Sequence, residues 1–315
     1  MYYFIVNITG GSGKVKRTWR IVRDELKKRE VEYKAFCTKS SEHAKELAKK
    51  ISMLSDDDIH IVVVGGDGTI NAVLNGIKDF ERITFSVIPS GSANDFARGL
   101  GISKNPIETL NGILDEKKEI QRIDIGCVKT SESRLFGISS GIGLDAIVCK
   151  KALDSKIKTF LNKLNLGSLT YIILTIISLF TMDYIDTEIE IYDEPEDNEV
   201  SILKEKIKFS KMIFAAFMNV RAEGGGVPMA PTAKYDDGKL SVCIASDISK
   251  LNAFLKLPLL VMAKQEKIKG FKLFDASKII IKVKTPSVLH ADGEYIGDET
   301  QVTITCLEKK LKLKK

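Results

Sequence analysis

An apolar run at 59–64, interrupted only by His60, ends abruptly in Gly65, Gly66, Asp67, Gly68 and Thr69, and Ile70 and Asn71 then open a helix predicted to reach about Ile77. Glycines let a backbone approach phosphate oxygens closely, and the amides at a helix start aim partial positive charge at an anion. Asp67 stands where a carboxylate can hold the magnesium that accompanies nucleotide phosphates. Taken alone, a glycine turn between strand and helix is as often only a tight turn.

A second run at 84–88 ends in Pro89, Ser90, Gly91, Ser92, Ala93, Asn94 and Asp95, with a helix expected from Phe96. Two glycine- and hydroxyl-rich turns at the carboxyl ends of two strands would lie side by side at the ligand edge of an open α/β sheet. Asn94 or Asp95 also reads as a plain helix cap. Near the chain end, Asp292, Gly293 and Glu294 place two carboxylates around a glycine. A general base or a hairpin turn are both open readings of that triplet.

The elements that must position these residues divide the chain in two. Strand-like runs at 2–8, 32–37 and 59–64 alternate with helical runs at 17–30 and 41–53, the pattern of a doubly wound α/β sheet. From about Ile123, strands expected at 123–128, 135–140, 186–192, 206–218 and 240–245 follow one another through Gly, Asp and Asn turns. The fold expected is α/β plus β: a nucleotide-binding doubly wound domain over 1–122, to which 297–315 return, and a β-rich, sandwich-like domain over 123–296. A chain of 315 residues also exceeds what one core ordinarily supports.

Composition narrows the partners. With 48 Lys and Arg against 42 Asp and Glu, the net charge of +6 permits a polyanionic or membrane surface without demanding one. One Trp and no recognisable binding motif argue against nucleic acid. The five scattered cysteines form no CxxC pair and read as reduced thiols of a cytoplasmic protein. The first fourteen residues read as a strand and turn rather than a signal peptide. The apolar stretch at 169–182 is shorter than the roughly 20 residues a membrane span needs, and is expected as a buried helix. The acidic segment 193–199 is expected as a hairpin loop, and 251–267 as a helix despite Pro258.

GGDGTINAVLNGI at 65–77 and PSGSANDFARGLGI at 89–102 together resemble the nucleotide-binding segments of the diacylglycerol kinase catalytic-domain family, which also holds sphingosine and ceramide kinases. Further matches follow in order: GIGLDA at 141–146, the GGG-V-P-M-A-P run at 224–231, YDDGKL at 235–240 and HADGEY at 290–295. NAD kinase shares the Gly-Gly-Asp-Gly-Thr segment, but the second segment argues against it.

The resemblance implies an ATP- and magnesium-dependent lipid kinase, with diacylglycerol as the leading substrate. Other lipids, such as a sphingoid base, a monoacylglycerol or phosphatidylglycerol, stay open, as does a non-catalytic lipid- or nucleotide-binding regulator. It implies that Asn7, Thr38, Gly65, Gly66, Asp67, Gly68, Thr69, Ile70, Asn71, Gly91 and Ser92 contact the nucleotide. Asp292 is the implied general base, with Glu294 its neighbouring alternative, and His290 beside them is expected to pack rather than react. Asp67 serves the catalytic magnesium, around which Asp95 and Asp124 extend a carboxylate network. The loop at 234–239 resembles one that holds a structural magnesium through an aspartate and flanking carbonyls, here Asp237 with Lys234 and Lys239; a metal-free Asp-Gly turn is the other reading. One departure is Ala72, where the family commonly has Glu.

A homodimer and peripheral contact with an anionic membrane surface are also implied. Lys150, Lys151, Lys156 and Lys158, or Lys309, Lys310, Lys312, Lys314 and Lys315, are the candidate basic residues. For the terminal lysines a frayed, solvated end is the expected state.

Overall fold

The computed structural model describes residues 1–10, 13–56, 58–154, 167–193 and 202–315. Lys156, Lys158 and all of the acidic segment but Asp193 lie outside them. The described residues form two compact units. One comprises Met1–Ile125, Tyr235–Asp237 and Leu307–Lys315; the other comprises Gly126–Lys234 and Gly238–Cys306.

The first unit is a parallel sheet. Its strands β1 (Tyr2–Asn7), β2 (Tyr33–Thr38), β3 (Ile59–Gly65) and β4 (Ile83–Pro89) lie in the order β4-β3-β1-β2. The pairings are parallel, as expected of strands separated by helices. Helices α1 (Lys14–Lys28) and α5 (Pro106–Leu114) bury Val15, Val22, Leu26, Leu110 and Ile113 against Phe4, Val6, Val62, Val64 and Ile88. The alternate strand residues Tyr3, Ile5, Ile61 and Val63 are buried as well, beneath α2 (Ser41–Ser52) and α3 (Asp67–Leu74). Both faces are therefore covered, which is why these strands read as continuous apolar runs. Ser40 caps α2, its Oγ accepting the His43 amide at 3.2 Å. The short α4 (Asp95–Gly99) follows β4.

The chain end corrects one expectation. Rather than fraying, it continues a strand whose Lys312 and Leu313 pair in parallel with Thr84 and Phe85 of β4. Leu311 and Leu313 are buried between lysines of opposite facing. Lys310 lies over the Phe80 ring, Lys312 pairs with Glu81, and Lys315 lies over the Tyr235 ring and donates to Leu100 O at 2.6 Å. These lysines are committed within the unit.

In the second unit the β-rich expectation resolves into long antiparallel strands. After β5 (Gln121–Lys129) come β6 (Ser133–Phe136), β7 (Ser139–Gly143), β8 (Ile185–Asp193), β9 (Ile202–Met218), β10 (Leu240–Ser246), β11 (Phe271–Ala276), β12 (Lys278–Ala291) and β13 (Glu294–Leu313). The single strand expected at 135–140 is two, broken at Gly137 and Ile138. β9 and β12 are each shared: one half of each pairs with β8 and the other with β7. Helices α6 (Leu144–Asp154), α7 (Gly167–Thr181) and α8 (Lys250–Val261) complete the unit. Among the described residues, no helix is long and apolar enough to cross a membrane.

Candidate active site

In the first unit the two glycine turns meet. A Cβ added to Gly66 would stand 2.9 Å from Gly91 Cα, and one added to Gly91 would stand 2.5 Å from Gly66 Cα. Two backbones approach here with no side chain between them, which only glycine allows. Ser90 N donates to Gly65 O at 2.9 Å, lacing the two strand ends together. Asp67 bridges the same junction: its carboxylate accepts the Asp95 amide at 3.1 Å and the Phe96 amide at 3.2 Å. Each oxygen of such a carboxylate keeps further lone-pair capacity for a cation.

Asn94 occupies the residue before α4 but makes no capping bond. Its side chain turns back instead, with Oδ1 accepting the Gly91 amide at 2.8 Å and Nδ2 donating to Gly91 O at 3.0 Å. Its φ of 53° is left-handed, a conformation that Asn tolerates better than most residues. Asp95 is buried and ion-paired with Arg98, which also donates to Ala93 O at 2.8 Å.

The remaining expected nucleotide contacts divide. Asn7 reaches the first turn, Nδ2 donating to Thr69 Oγ1 at 2.9 Å, and Thr69 and Ile70 return their amides to Gly66 O. Asn71 is buried, its Oδ1 accepting from Asn75 at 3.2 Å, while Ser92 is exposed. Thr38, fully buried, instead braces the start of α2, its hydroxyl donating to Ser40 O at 2.7 Å. Ser90 Oγ is buried with no hydrogen-bond partner among the described residues. A backbone cradle, a helix start and an unsatisfied hydroxyl fit a phosphate group, and the neighbouring Asp67 and Asp95 oxygens suit a hard cation such as magnesium.

Asp124 is held by other groups: its Oδ1 accepts the Lys309 amide at 2.7 Å and its own amide donates to Tyr235 O at 2.7 Å. It therefore ties the 235–237 segment and the chain end into the first unit. In the 234–239 loop, Gly238 adopts a positive φ of 73°, the turn that the Asp-Gly pair suggested.

In the second unit Asp292 sits at a built corner. Its carboxylate accepts the amides of Gly137 (2.9 Å), Ile138 (2.8 Å) and Ser139 (3.1 Å), and its own amide donates to Ser139 O at 2.8 Å. Its φ is 50° and Gly293 follows at 80°, the turn that the Asp-Gly pair suggested. Glu294 opens β13 opposite Ala291.

Beside the corner, fully buried His290 contacts one further carboxylate, Asp145, with a second, Glu223, close by. The Gly293 amide donates to Nδ1 at 3.2 Å, so the proton of the neutral ring sits on Nε2, which contacts Asp145 Oδ2 at 3.2 Å. Burial opposes the imidazolium, but the hydrogen-bonded Asp145 and the charges of Asp145, Glu223 and Asp292 hold the His290 pKa above its ordinary value. Glu223 accepts from Ser139 Oγ. Asp145, Glu223 and His290 bring one donor atom each within 4.8 Å of one another. A metal-bound imidazole normally donates from its second nitrogen. Here that nitrogen accepts, and the cluster is a hydrogen-bonded brace.

The structure thus joins Asn7, Gly65, Gly66, Asp67, Thr69, Gly91 and Asp95, adds Ser90 and Arg98, which the sequence left without a role, and turns Asn94 from the expected cap into a brace of Gly91. In the second unit it adds Asp145, Glu223 and the 137–139 amides. Asp145 and Glu223 were marked only by lying in or beside GIGLDA and the Gly224 run; nothing in the sequence signals the amides.

The sequence model of the diacylglycerol kinase catalytic domain matches residues 1–128, and that of the YegS C-terminal NAD kinase beta sandwich-like domain matches 139–314. The chain is 31% identical over 302 residues to the Bacillus subtilis (strain 168) protein named "Putative lipid kinase YtlR", covering 94% of each. It is 29% identical to the diacylglycerol kinase of Staphylococcus haemolyticus (strain JCSC1435), covering 93% of this chain and 82% of that one. A solved structure of a diacylglycerol kinase from Bacillus anthracis str. Sterne superposes with a TM-score of 0.67 at 19% identity, covering 99% of this chain and 95% of that one. Another chain from that strain gives 0.74 at 22% identity, covering 99% and 96%. At those identities the likeness is one of fold.

Proposed function

This chain belongs to the diacylglycerol kinase family of lipid kinases, and from that premise we propose that it transfers the γ-phosphate of ATP, with magnesium, to the hydroxyl of diacylglycerol, giving phosphatidic acid. The observation that carries the reading is the meeting of Gly66 with Gly91 beneath Asp67, a side-chain-free crossing of two strand ends where phosphates can lie against backbone.

Phosphoryl transfer asks little covalent chemistry of a protein; it asks for alignment and for neutralised phosphate charge. On this reading Asn7, Gly65–Asn71 and Ser90–Ser92 hold the nucleotide, numbered 65–71 and 90–92 along the two turns. Asp67, with Asp95 beside it, would hold magnesium, whose charge offsets that of the phosphates, while Asp124 holds the chain end. Asp237, with the carbonyls of Lys234 and Lys239, would hold a second, structural ion. Asp292 accepts the proton of the lipid hydroxyl as it attacks, with Glu294 beside it. Thr38, whose hydroxyl is already engaged, positions the entry to α2. Ala72 is buried in α3, so the Glu common at this position is replaced by a core methyl and takes no part. The enzyme acts from the cytoplasm on a substrate that stays in the bilayer.

The test is phosphorylation of a lipid panel in mixed micelles with labelled ATP and magnesium, using Asp67→Ala and Asp292→Ala as controls. Label on diacylglycerol, lost in both variants, is the expected result. Label on another lipid would move the substrate assignment; label on NAD, or nucleotide binding without turnover, would overturn the reading.

A further inference from the structure

Asp292 keeps its left-handed φ because its neighbours are held, and one of those holds carries a proton. Gly293, the next residue, donates its amide to His290 Nδ1 at 3.2 Å. The other ring nitrogen, Nε2, lies 3.2 Å from Asp145 Oδ2. Asp145 is itself fixed in the first turn of α6, its Oδ1 accepting the Ala146 amide at 2.8 Å. The backbone of His290 is pinned too, its carbonyl accepting from Ser140 Oγ at 2.7 Å. The sequence leaves room for the contact between ring and carboxylate: a Cβ on Gly141, opposite His290 in the β7–β12 pairing, would fall on Asp145 Oδ2 and stand 2.8 Å from His290 Nε2. Any side chain at 141 would therefore part the two.

A neutral imidazole offers one donor and one acceptor nitrogen, whereas an imidazolium donates from both. With a carboxylate on Nε2 and an amide on Nδ1, the neutral ring here has one tautomer that satisfies both partners. A proton added at Nδ1 would meet the Gly293 N–H head on, and the bond would break. The ring therefore holds Gly293 when neutral and releases it when charged. The charges that face it come from three elements: Asp145 on α6, Glu223 on the 223–227 turn and Asp292 on its own hairpin. Cys243 of β10 lies near the same carboxylates, its thiol pushed by burial up to about 12 and so uncharged. Tyr295, paired with His290 across the hairpin, has its ring under Lys150. Burial opposes charge on His290 and the carboxylates favour it, so its pKa stands above the ordinary value and release begins at milder acidity than for a free histidine.

We propose that Asp145 and His290 are positioning residues: Asp145 fixes the ring tautomer, the ring holds the Gly293 amide, and protonation of the ring breaks that hold and disarms Asp292 in acid. The proposal rests on the reading of Asp292 as the base of a lipid kinase, and its test has one arm that needs no substrate. Long-range ¹H–¹⁵N correlation of the full chain labelled in its three histidines, with His290→Gln to assign the signals, reads the tautomer and the titration directly. The neutral His290 ring is expected to carry its proton on Nε2. In Asp145→Asn, whose amide oxygen still accepts from Nε2 but bears no charge, His290 is expected to titrate at lower pH than in wild type. The second arm follows kcat for lipid phosphorylation against pH. Its acid limb is expected to coincide with the His290 titration in wild type and to move to lower pH in both Asp145→Asn and His290→Gln. At the wild-type midpoint, where half of kcat is lost, each variant should then stand near its own plateau, about a twofold difference. A neutral ring protonated on Nδ1, a His290 titration unmoved by Asp145→Asn, or an acid limb that either variant leaves in place overturns the proposal. The expected tautomer and titration without any lipid phosphorylation by wild type would uphold the hold on Gly293 and overturn the reading of the site as a kinase.

Discussion

The glycine turns of the first unit and the Asp292 corner of the second do the same structural work, presenting backbone amides to carboxylates, but they are built oppositely. The turns are assembled from two segments less than thirty residues apart, 65–71 and 90–96, each contiguous with the strand that positions it. The corner gathers 137–139, Asp145, Glu223 and 290–293 through partners 84 to 155 residues apart. A site made of backbone at strand ends is written locally, whereas one made of a brace of side chains is written across the whole domain. The first should therefore fail through steric intrusion, and the second through loss of a single buried partner.

The largest effect expected is in the corner. Asp292→Asn keeps a residue that tolerates the left-handed φ but removes the anion; kcat should fall by roughly 10²–10⁴-fold with nucleotide affinity little changed. If Asp292 only braces the 137–139 turn, stability falls instead and kcat per folded molecule is kept. Next is Gly91→Ala, whose methyl would meet Gly66 Cα at 2.5 Å. Backbone cannot yield as a side chain does, so a loss of about 1–3 kcal/mol in nucleotide affinity, in stability, or divided between them is expected from calorimetric titration and unfolding.

A smaller effect sharpens the contrast. His290→Ala strands the Gly293 amide and leaves Asp145 without its ring partner, with a cost of about 1–2 kcal/mol in stability and a shifted pH profile of kcat. His290→Gln, whose side-chain oxygen can accept the Gly293 amide, should recover part of it. The smallest effect belongs to half-buried His60. His60 Nε2 lies 2.8 Å from Ser86 Oγ, whose own proton goes to Lys314 O, so Nε2 carries the ring proton. Burial, reinforced by the Lys314 charge, lowers its pKa to about 3. The unfolded chain binds this proton near pH 6.5 and the folded one does not. Stability is present above that pH and is lost as the pH falls from there toward the folded value. Trp19, packed on Phe4 at 5.4 Å between ring centroids, reports unfolding of the first unit alone. Its midpoint should fall between pH 6.5 and 5 by an amount on the order of 1 kcal/mol that His60→Gln does not show.

The same contrast explains what was legible. The 59–64 run and the glycines after it announced β3 and the start of α3, because buried parallel strands are apolar throughout and phosphate turns need glycine. Asp67 could be picked out, but its bonds to the Asp95 and Phe96 amides could not, since they depend on two strand ends lying side by side. Asp292 was marked by motif, while the amides it accepts carry no side-chain signal. The terminal Lys-Leu-Lys-Leu-Lys alternation had a strand's period of two, and was obscured by its charge. The exposure of Leu251 and Leu255 on α8 was hidden differently: apolar on two faces, the segment reads as buried until the packing shows which face the core takes.

The division of labour between the two units is tested most directly by measuring nucleotide affinity and lipid phosphorylation on the same preparations of wild type, Asp67→Ala and Asp292→Ala. The account predicts weakened magnesium-nucleotide binding in Asp67→Ala, and wild-type binding with turnover abolished in Asp292→Ala. Wild-type turnover by Asp292→Ala would contradict it.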